Sequence, residues 1–265
     1  MYEAHFGLAA RPFVETSSPD AYVRLPSRDV ALRRLRFALE HHRGPALLVG
    51  PPGSGKTLLA GVLARQMQRP TVHLAFPALP AADLLAFVAA ELGVPAAARP
   101  SEQLRRIREA LASSAAQGHG QLLIVDEAHL IDDPSTFEAL RLLLNFAAAG
   151  PPDLSLLLVG GPEILLRISP GLSDRLAARC LLGPLNAAEG VTYIEGRLAA
   201  AGATTPLFDP DGLLALHRAA DGLPRRLNRL ADLALLVAYA DACPRPDSRA
   251  VALAARELDP EYLAA

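Results

Sequence analysis

Eight consecutive residues, Gly50-Pro-Pro-Gly-Ser-Gly-Lys-Thr57, restrict what this chain can fold into more than any other stretch. They fit the pattern GxxxxGK[ST], and they sit where that pattern has physical meaning. The apolar run Ala46–Val49 precedes them, and a stretch with helical spacing, Leu58–Met67, follows. A backbone can surround a cluster of phosphates with N–H groups only if it curls tightly, which Gly53 and Gly55 permit. The start of the following helix adds unpaired N–H groups and the positive end of its dipole. Gly50, Pro51, Pro52, Gly53, Ser54, Gly55, Lys56, Thr57 and Leu58 therefore read as a cradle for a nucleoside triphosphate. Lys56 supplies a mobile point charge to the β- and γ-phosphates, and the Thr57 hydroxyl is a magnesium ligand. Lys56 is also the sole lysine among 26 Lys and Arg residues. A composition that favours arginine explains the others and leaves open why one position keeps an ammonium.

The pattern around the loop predicts an α/β fold. Apolar runs at Ala46–Val49, Thr71–Phe76, Leu122–Val125 and Leu154–Val159, with a fifth near Arg179–Leu182, alternate with amphipathic stretches. Such alternation is written by βαβ units, so a parallel sheet in a three-layer αβα core is expected. Val30–Glu40 has helical spacing, as do residues from Ser101 onward, where Leu104, Ile107 and Leu111 share a face. Asp133-Pro134 places a capping side chain before a proline at the first helical position. After Pro184 the strands stop. Asn186–Glu189 reads as a capping box, Asp209-Pro210 and Leu223-Pro224 open two more helices, and a last one covers Ser248–Leu258. The expected division is an N-terminal extension over 1–44 that packs on the ATPase core, a P-loop domain over 45–185, and a small all-helical domain over 186–265.

A second chemical signal lies 70 residues past Lys56. The run Leu122-Leu-Ile-Val ends in Asp126-Glu127. In open α/β sheets ligands bind beyond the carboxyl ends of the strands, which would set both acids beside the phosphate loop. Asp126 is then a magnesium ligand, directly or through a metal-bound water. Glu127 orients and polarises the attacking water. With His129 the segment spells Asp-Glu-Ala-His, which also names a helicase class. That class needs a second strand-bearing domain, and the residues after 185 contain no runs to build one.

Bulk composition removes several alternatives. Formal charge is −2 with His neutral, so no basic excess advertises nucleic acid. Two cysteines, Cys180 and Cys243, have no metal-ligand spacing and give no disulfide framework, which predicts a reducing compartment. No run of about 20 apolar residues is present to span a membrane. Leu74–Ala98 is interrupted by Asp83 and Glu91, and the N-terminus has no secretory leader pattern.

Several segments together resemble the general secretion pathway protein A, or ExeA-like, family of AAA+ ATPases. They are Tyr2…Phe6-Gly7-Leu8…Arg11-Pro12-Phe13, the phosphate loop, Asp126-Glu127-Ala128-His129 and Leu140-Arg-Leu-Leu-Leu-Asn145. Val159-Gly-Gly-Pro-Glu163, Gly183-Pro184-Leu185 and Gly222-Leu-Pro-Arg225-Arg-Leu-Asn228 continue the series. Transposition helper ATPases are similar in kind. The resemblance implies ATP and Mg²⁺ as ligands and a homo-oligomer in which one arginine acts in trans on the neighbour's γ-phosphate. Arg175 looks like that finger, with Arg179 as the alternative. Arg225 looks like the sensor arginine that opens the family's lid helix. The family usually carries a polar side chain, often Gln, where this chain has Gly161; in the family it acts as sensor 1 and helps place the attacking water. Asn145 is one candidate to take over its task. Family members continue into a membrane span and a periplasmic peptidoglycan-binding domain, and neither is written in these 265 residues. The expected location is therefore the cytoplasm, peripheral to the inner membrane through a partner.

The sequence is compatible with three functions. One is an ATPase that drives assembly of an envelope or secretion structure, with a protein of that structure as partner. Another is an ATP-dependent switch that binds DNA or protein and hydrolyses slowly. The last is a nucleotide-binding scaffold without turnover, which Gly161 brings into view. Arg33-Arg34-Leu-Arg36, Arg105-Arg106 and Arg225-Arg226 offer phosphate contacts for DNA, but aromatic stacking partners are scarce.

Overall fold

Strands buried on both faces are written as near-continuous apolar runs, and here three such runs form the centre of a five-stranded sheet. The computed structural model describes residues 1–118, 120–146 and 154–258. In chain order the elements are α1 (Tyr2–His5), α2 (Pro26–Glu40), β1 (Ala46–Val49), α3 (Lys56–Met67), β2 (Thr71–Leu74) and α4 (Ala81–Glu91). Then come α5 (Pro100–Ala116), β3 (Gln121–Val125), α6 (Pro134–Leu143), β4 (Leu154–Gly160), α7 (Ile164–Arg167), α8 (Pro170–Ser173) and β5 (Ala178–Leu181). Four helices close the chain: α9 (Ala187–Ala200), α10 (Pro210–Ala219), α11 (Pro224–Ala240) and α12 (Ser248–Glu257).

The sheet is parallel throughout, in the order β2-β3-β4-β1-β5. Register aligns Leu48 with Val159 on one side and with Cys180 on the other. The central strands β1, β3 and β4 are buried at every residue. β2 stops at Leu74, short of the apolar run's end at Phe76. The Leu74 carbonyl accepts from Asp126 N–H at 2.9 Å, Phe76 is 64% exposed, and Pro77 has no N–H to continue the ladder. At the two sheet edges, β2 and β5 alternate buried and exposed positions.

The chain folds as two compact units. One comprises Val30–Pro52 and Leu59–Leu182. Its core joins the sheet residues Leu47, Leu123, Val125, Leu156 and Leu158 to Ile107, Leu111 and Phe137 from α5 and α6. The other comprises Met1–Asp29, Gly53–Leu58 and Gly183–Ala265, of which 259–265 lie outside the described residues. Its core is helical. α11 contributes Leu227, Leu230, Ala231, Ala234, Leu235 and Ala238, a stripe at helical spacing. Tyr2, Phe6, Leu8, Phe13 and Leu25 are buried in that same cluster, so residues 1–44 divide at Asp29. Polar ties reinforce the apolar ones. Tyr2 Oη and Arg11 both donate to Asp232. The buried Arg197 donates to the carbonyls of Pro12 and Val14, each at 2.9 Å. Among the described residues no helix is long and apolar enough to cross a membrane.

Helix starts follow the capping signals. Asp133 accepts from Ser135 N–H at 2.8 Å, Asp209 from Gly212 N–H at 2.6 Å and Asp247 from Ala250 N–H at 2.9 Å. α5 begins at Pro100, one residue before Ser101, because proline fits the first helical position. At α9, Asn186 Oδ1 accepts from Glu189 N–H at 2.9 Å, and the buried Glu189 carboxylate accepts from Ser27 N–H at 2.8 Å, at the start of α2. One carboxylate thus serves two helix N-termini. Burial raises this carboxyl, but the backbone N–H groups of Ser27 and Asn186 outweigh it and leave it below its ordinary value of 4.5. A depressed carboxyl contributes stability that is complete above the unfolded value and is lost as pH falls through the folded one. Glu189→Ala is expected to cost about 1–2 kcal/mol at pH 7. Urea unfolding at pH 7 and at pH 3 checks this: the gap between variant and parent narrows in acid, and an equal gap at both pH values refutes the assignment.

Candidate active site

Parallel strands put all their carboxyl ends on one edge of the sheet, and the chemistry-bearing segments leave from there. β1 delivers Gly50, whose N–H donates to Gly160 O at the end of β4 at 3.2 Å. β3 delivers Asp126. The glycine turn itself is held in backbone that L side chains rarely adopt: φ is +77° at Gly53 and +90° at Gly55. Gly53 is also needed for space. Its carbonyl accepts from Arg225 N–H at 3.2 Å, and a Cβ there would lie 2.8 Å from Arg225 Cβ. α3 opens at Lys56, so Lys56, Thr57 and Leu58 form its first turn, where backbone N–H groups lack intrahelical partners. Lys56 is 7% exposed. Ser54 is 1% exposed, and its hydroxyl has no hydrogen-bond partner among the described residues. A buried orphan hydroxyl costs roughly 1–3 kcal/mol unless a ligand satisfies it. An orphan hydroxyl, a buried ammonium, two positive-φ glycines and a helix N-terminus form a donor set that fits a polyanion such as a triphosphate.

Asp126 is 3% exposed and its Oδ1 accepts from Glu127 N–H at 2.9 Å. His73 Nε2, on β2, stands 3.6 Å from Asp126 Oδ2. Glu127 turns the chain through left-handed backbone, φ 50° and ψ 33°, and keeps a half-exposed side chain. A non-glycine residue there carries strain of about 1–3 kcal/mol, which persists only where the surroundings impose it. His129 Nδ1 accepts from Gly161 N–H at 3.1 Å and lies 3.4 Å from Glu127 Oε2. A buried carboxylate and a half-exposed one, side by side at a strand end, can hold a hard cation and orient a water.

The sequence pattern of a family described as an AAA domain matches residues 39–168. A general secretion pathway protein A from Aeromonas hydrophila is 33% identical over 267 residues, covering 97% of this chain and 48% of the relative. Over nearly its whole length the chain resembles AAA+ proteins of the general secretion pathway protein A type. It spans about half the length of that relative. Solved structures of Cdc6p from Pyrobaculum aerophilum (TM-score 0.71, 19% identity, 89% of this chain and 67% of that one) and ORC2 from Aeropyrum pernix (0.68, 20%, 93% and 71%) share its fold. So does the RuvB branch migration motor of Thermotoga maritima (0.66, 20%, 94% and 75%).

Arg225, Arg175 and Arg179 are each engaged in a different way. Arg225, at the start of α11, packs on Gly53, while the Glu15 carboxylate lies 3.6 Å from its Nε and 2.9 Å from Arg229 Nε. Arg175 donates to Asn145 Oδ1 at 2.8 Å. Asn145 is thereby occupied with Arg175. Arg179, on β5, folds back to donate to the carbonyl and hydroxyl of Ser173, both at 2.9 Å. A Cβ at Gly161 would fall 2.2 Å from Glu163 Oε2 and 3.6 Å from His129 Cδ2. Glu15 and His73 belong to no motif of the sequence, and Glu163 enters it only as the end of the Val159–Glu163 segment. His73 becomes legible once β2 is paired with β3, whereas Glu15 meets Arg225 across 210 residues and has no local signal.

Proposed function

We propose that the chain binds Mg-ATP and hydrolyses it as a self-assembling enzyme, and that turnover serves the assembly or gating of a secretion-type structure of the cell envelope. The observation that carries this reading is the donor set of the glycine turn, with Ser54 buried and unpartnered and Lys56 almost fully enclosed. Lys56 takes the β- and γ-phosphates, and the backbone from Gly50 to Leu58 surrounds them. Thr57 and Asp126 would hold magnesium, which when bound offsets the charge on the phosphate oxygens. Glu127 orients the attacking water. Arg225 reads the bound phosphates, and Arg175 completes a neighbour's site in trans, with Arg179 as the alternative. In this reading residues 45–185 are the ATPase domain, 186–265 its helical lid and 1–44 an N-terminal extension, of which residues 1–29 pack with the lid helices. The protein is cytoplasmic and meets the inner membrane through its partner. The name of the Aeromonas relative supports the secretion role, and the ORC2 neighbour was solved as ADPNP and ADP complexes.

A second reading is a DNA- or protein-binding switch with slow hydrolysis. Gly161 favours it, since no side chain stands where the family has a polar one. ORC1 from Aeropyrum pernix, which has a similar fold (TM-score 0.66, 19% identity, 92% of this chain and 71% of that one), was solved in complex with DNA. Phosphate release measured against protein concentration decides between them. Specific activity that climbs steeply with concentration is expected, because each site is finished by a second copy. Specific activity that stays flat overturns the trans arrangement. ATP-dependent DNA retention that falls sharply with salt, accompanied by slow release, favours the switch.

A further inference from the structure

Two features of the sequence are left over once the phosphate loop and the acids have roles: His129, and the paired glycines Gly160-Gly161. The structure brings them together. A Cβ on Gly160 would lie 3.2 Å from His129 N and 3.3 Å from His129 Nδ1, and a Cβ on Gly161 would lie 3.6 Å from His129 Cδ2. The two glycines leave the end of β4 bare, and the imidazole lies against it. His129 is then fixed at both ends. Its ring accepts from Gly161 N–H at 3.1 Å, and its carbonyl accepts from Arg167 Nη1, beyond β4, at 2.8 Å. Between these anchors and β3 runs the left-handed turn at Glu127, closed by Leu130 N–H donating to Glu127 O at 2.8 Å over the fully buried Ala128.

We propose that His129 is a positioning residue for Glu127, clamped by the Gly161 amide, and that it performs the task a polar side chain at position 161 performs elsewhere. The proposal rests on Glu127 as the group that orients water. The geometry says how the ring acts. With Nδ1 accepting from Gly161, no proton remains on that nitrogen for the carboxylate 3.4 Å away. The imidazole therefore bounds Glu127 on one side without neutralising it, and the carboxylate keeps its capacity to accept from a water. Without the ring, one wall of the strained turn is gone and the carboxylate gains rotamers that miss the water. A static misplacement of this kind costs about a hundredfold in rate.

The test uses three variants of the full chain. His129→Ala is expected to lower kcat roughly 10- to 100-fold, with KM and the affinity for a fluorescent ATP analogue within about twofold of the parent. His129→Asn can place an amide oxygen near the Nδ1 position and should recover most of the rate. His129→Phe restores ring volume without an acceptor and should not. Hydrogen exchange at the Gly161 amide gives a readout independent of turnover: slow in the parent and in His129→Asn, fast in the other two. Unchanged kcat in His129→Ala, equal rescue by Asn and Phe, or fast Gly161 exchange in the parent overturns the proposal and leaves the ATPase reading standing. Glu127→Gln that turns over like the parent overturns the role of Glu127 and this inference with it.

Discussion

Lys56→Ala is expected to weaken binding of Mg-ATP by two to three orders of magnitude, the largest loss of affinity at any single position in the chain. Removing one preorganised donor from a site where charge accumulates costs roughly 10²- to 10³-fold. Lys56 lies at the upper end of that range because it is 7% exposed, so water cannot replace the ammonium. Its place in the first turn of α3 keeps it out of the apolar core, and the fold should survive. Lys56→Arg sharpens the experiment. A composition with one lysine among 26 basic residues shows arginine tolerated everywhere else. A planar guanidinium is wider than an ammonium and holds its donors in a fixed fork, so it does not fit a compact buried berth beside Gly53 and Gly55. Lys56→Arg should therefore recover less than about a tenth of the affinity while keeping the charge. Calorimetric titration with Mg-ATP measures both. An alanine variant that binds like the parent removes the glycine turn as the nucleotide site.

Local pattern carried the fold and the phosphate loop because both are local in origin. β1 was legible at both ends, since four buried residues lie between Pro45 and the turn at Gly50. β2 was overread by two residues, because Ala75 and Phe76 are apolar but exposed past the point where Asp126 takes the last ladder position. α2 was underread by four: it starts at Pro26, and its first turn, Pro26-Ser-Arg-Asp29, has no apolar periodicity to detect. The capping residues of α6, α9 and α10 were legible because an Asp or Asn caps its own helix. Ties across the chain were not. Nothing near Phe13 says that Arg197 will hold the neighbouring carbonyls, nor that Glu15 will reach Arg225 and Arg229. The sequence does not choose between Arg175 and Arg179, which sit four residues apart.

Arg175→Ala is expected to reduce phosphate release by about 10²- to 10³-fold while leaving nucleotide affinity unchanged. The side chain is exposed, and its partner is the neutral amide of Asn145. The nearby Glu138 carboxylate is taken instead by Arg141, which holds it below the usual carboxylate range. Among the described residues the hydrogen-bond partner of Arg175 is thus a neutral amide, and in the proposed assembly its charge is offered to an anion on another copy. Arg179 differs: both of its contacts return to Ser173, so its guanidinium is drawn back along its own chain. Arg179→Ala should cost no more than a few-fold. A mixing experiment separates an action in trans from one within the same copy. Arg175→Ala subunits keep an intact glycine turn and acids, and Glu127→Gln subunits keep an intact Arg175. Each should be nearly inactive alone, and a mixture should regain activity, because an arginine from the second kind finishes a site of the first. A mixture that assembles but stays inactive rules out the trans finger, and a large loss confined to Arg179→Ala transfers the role to that residue.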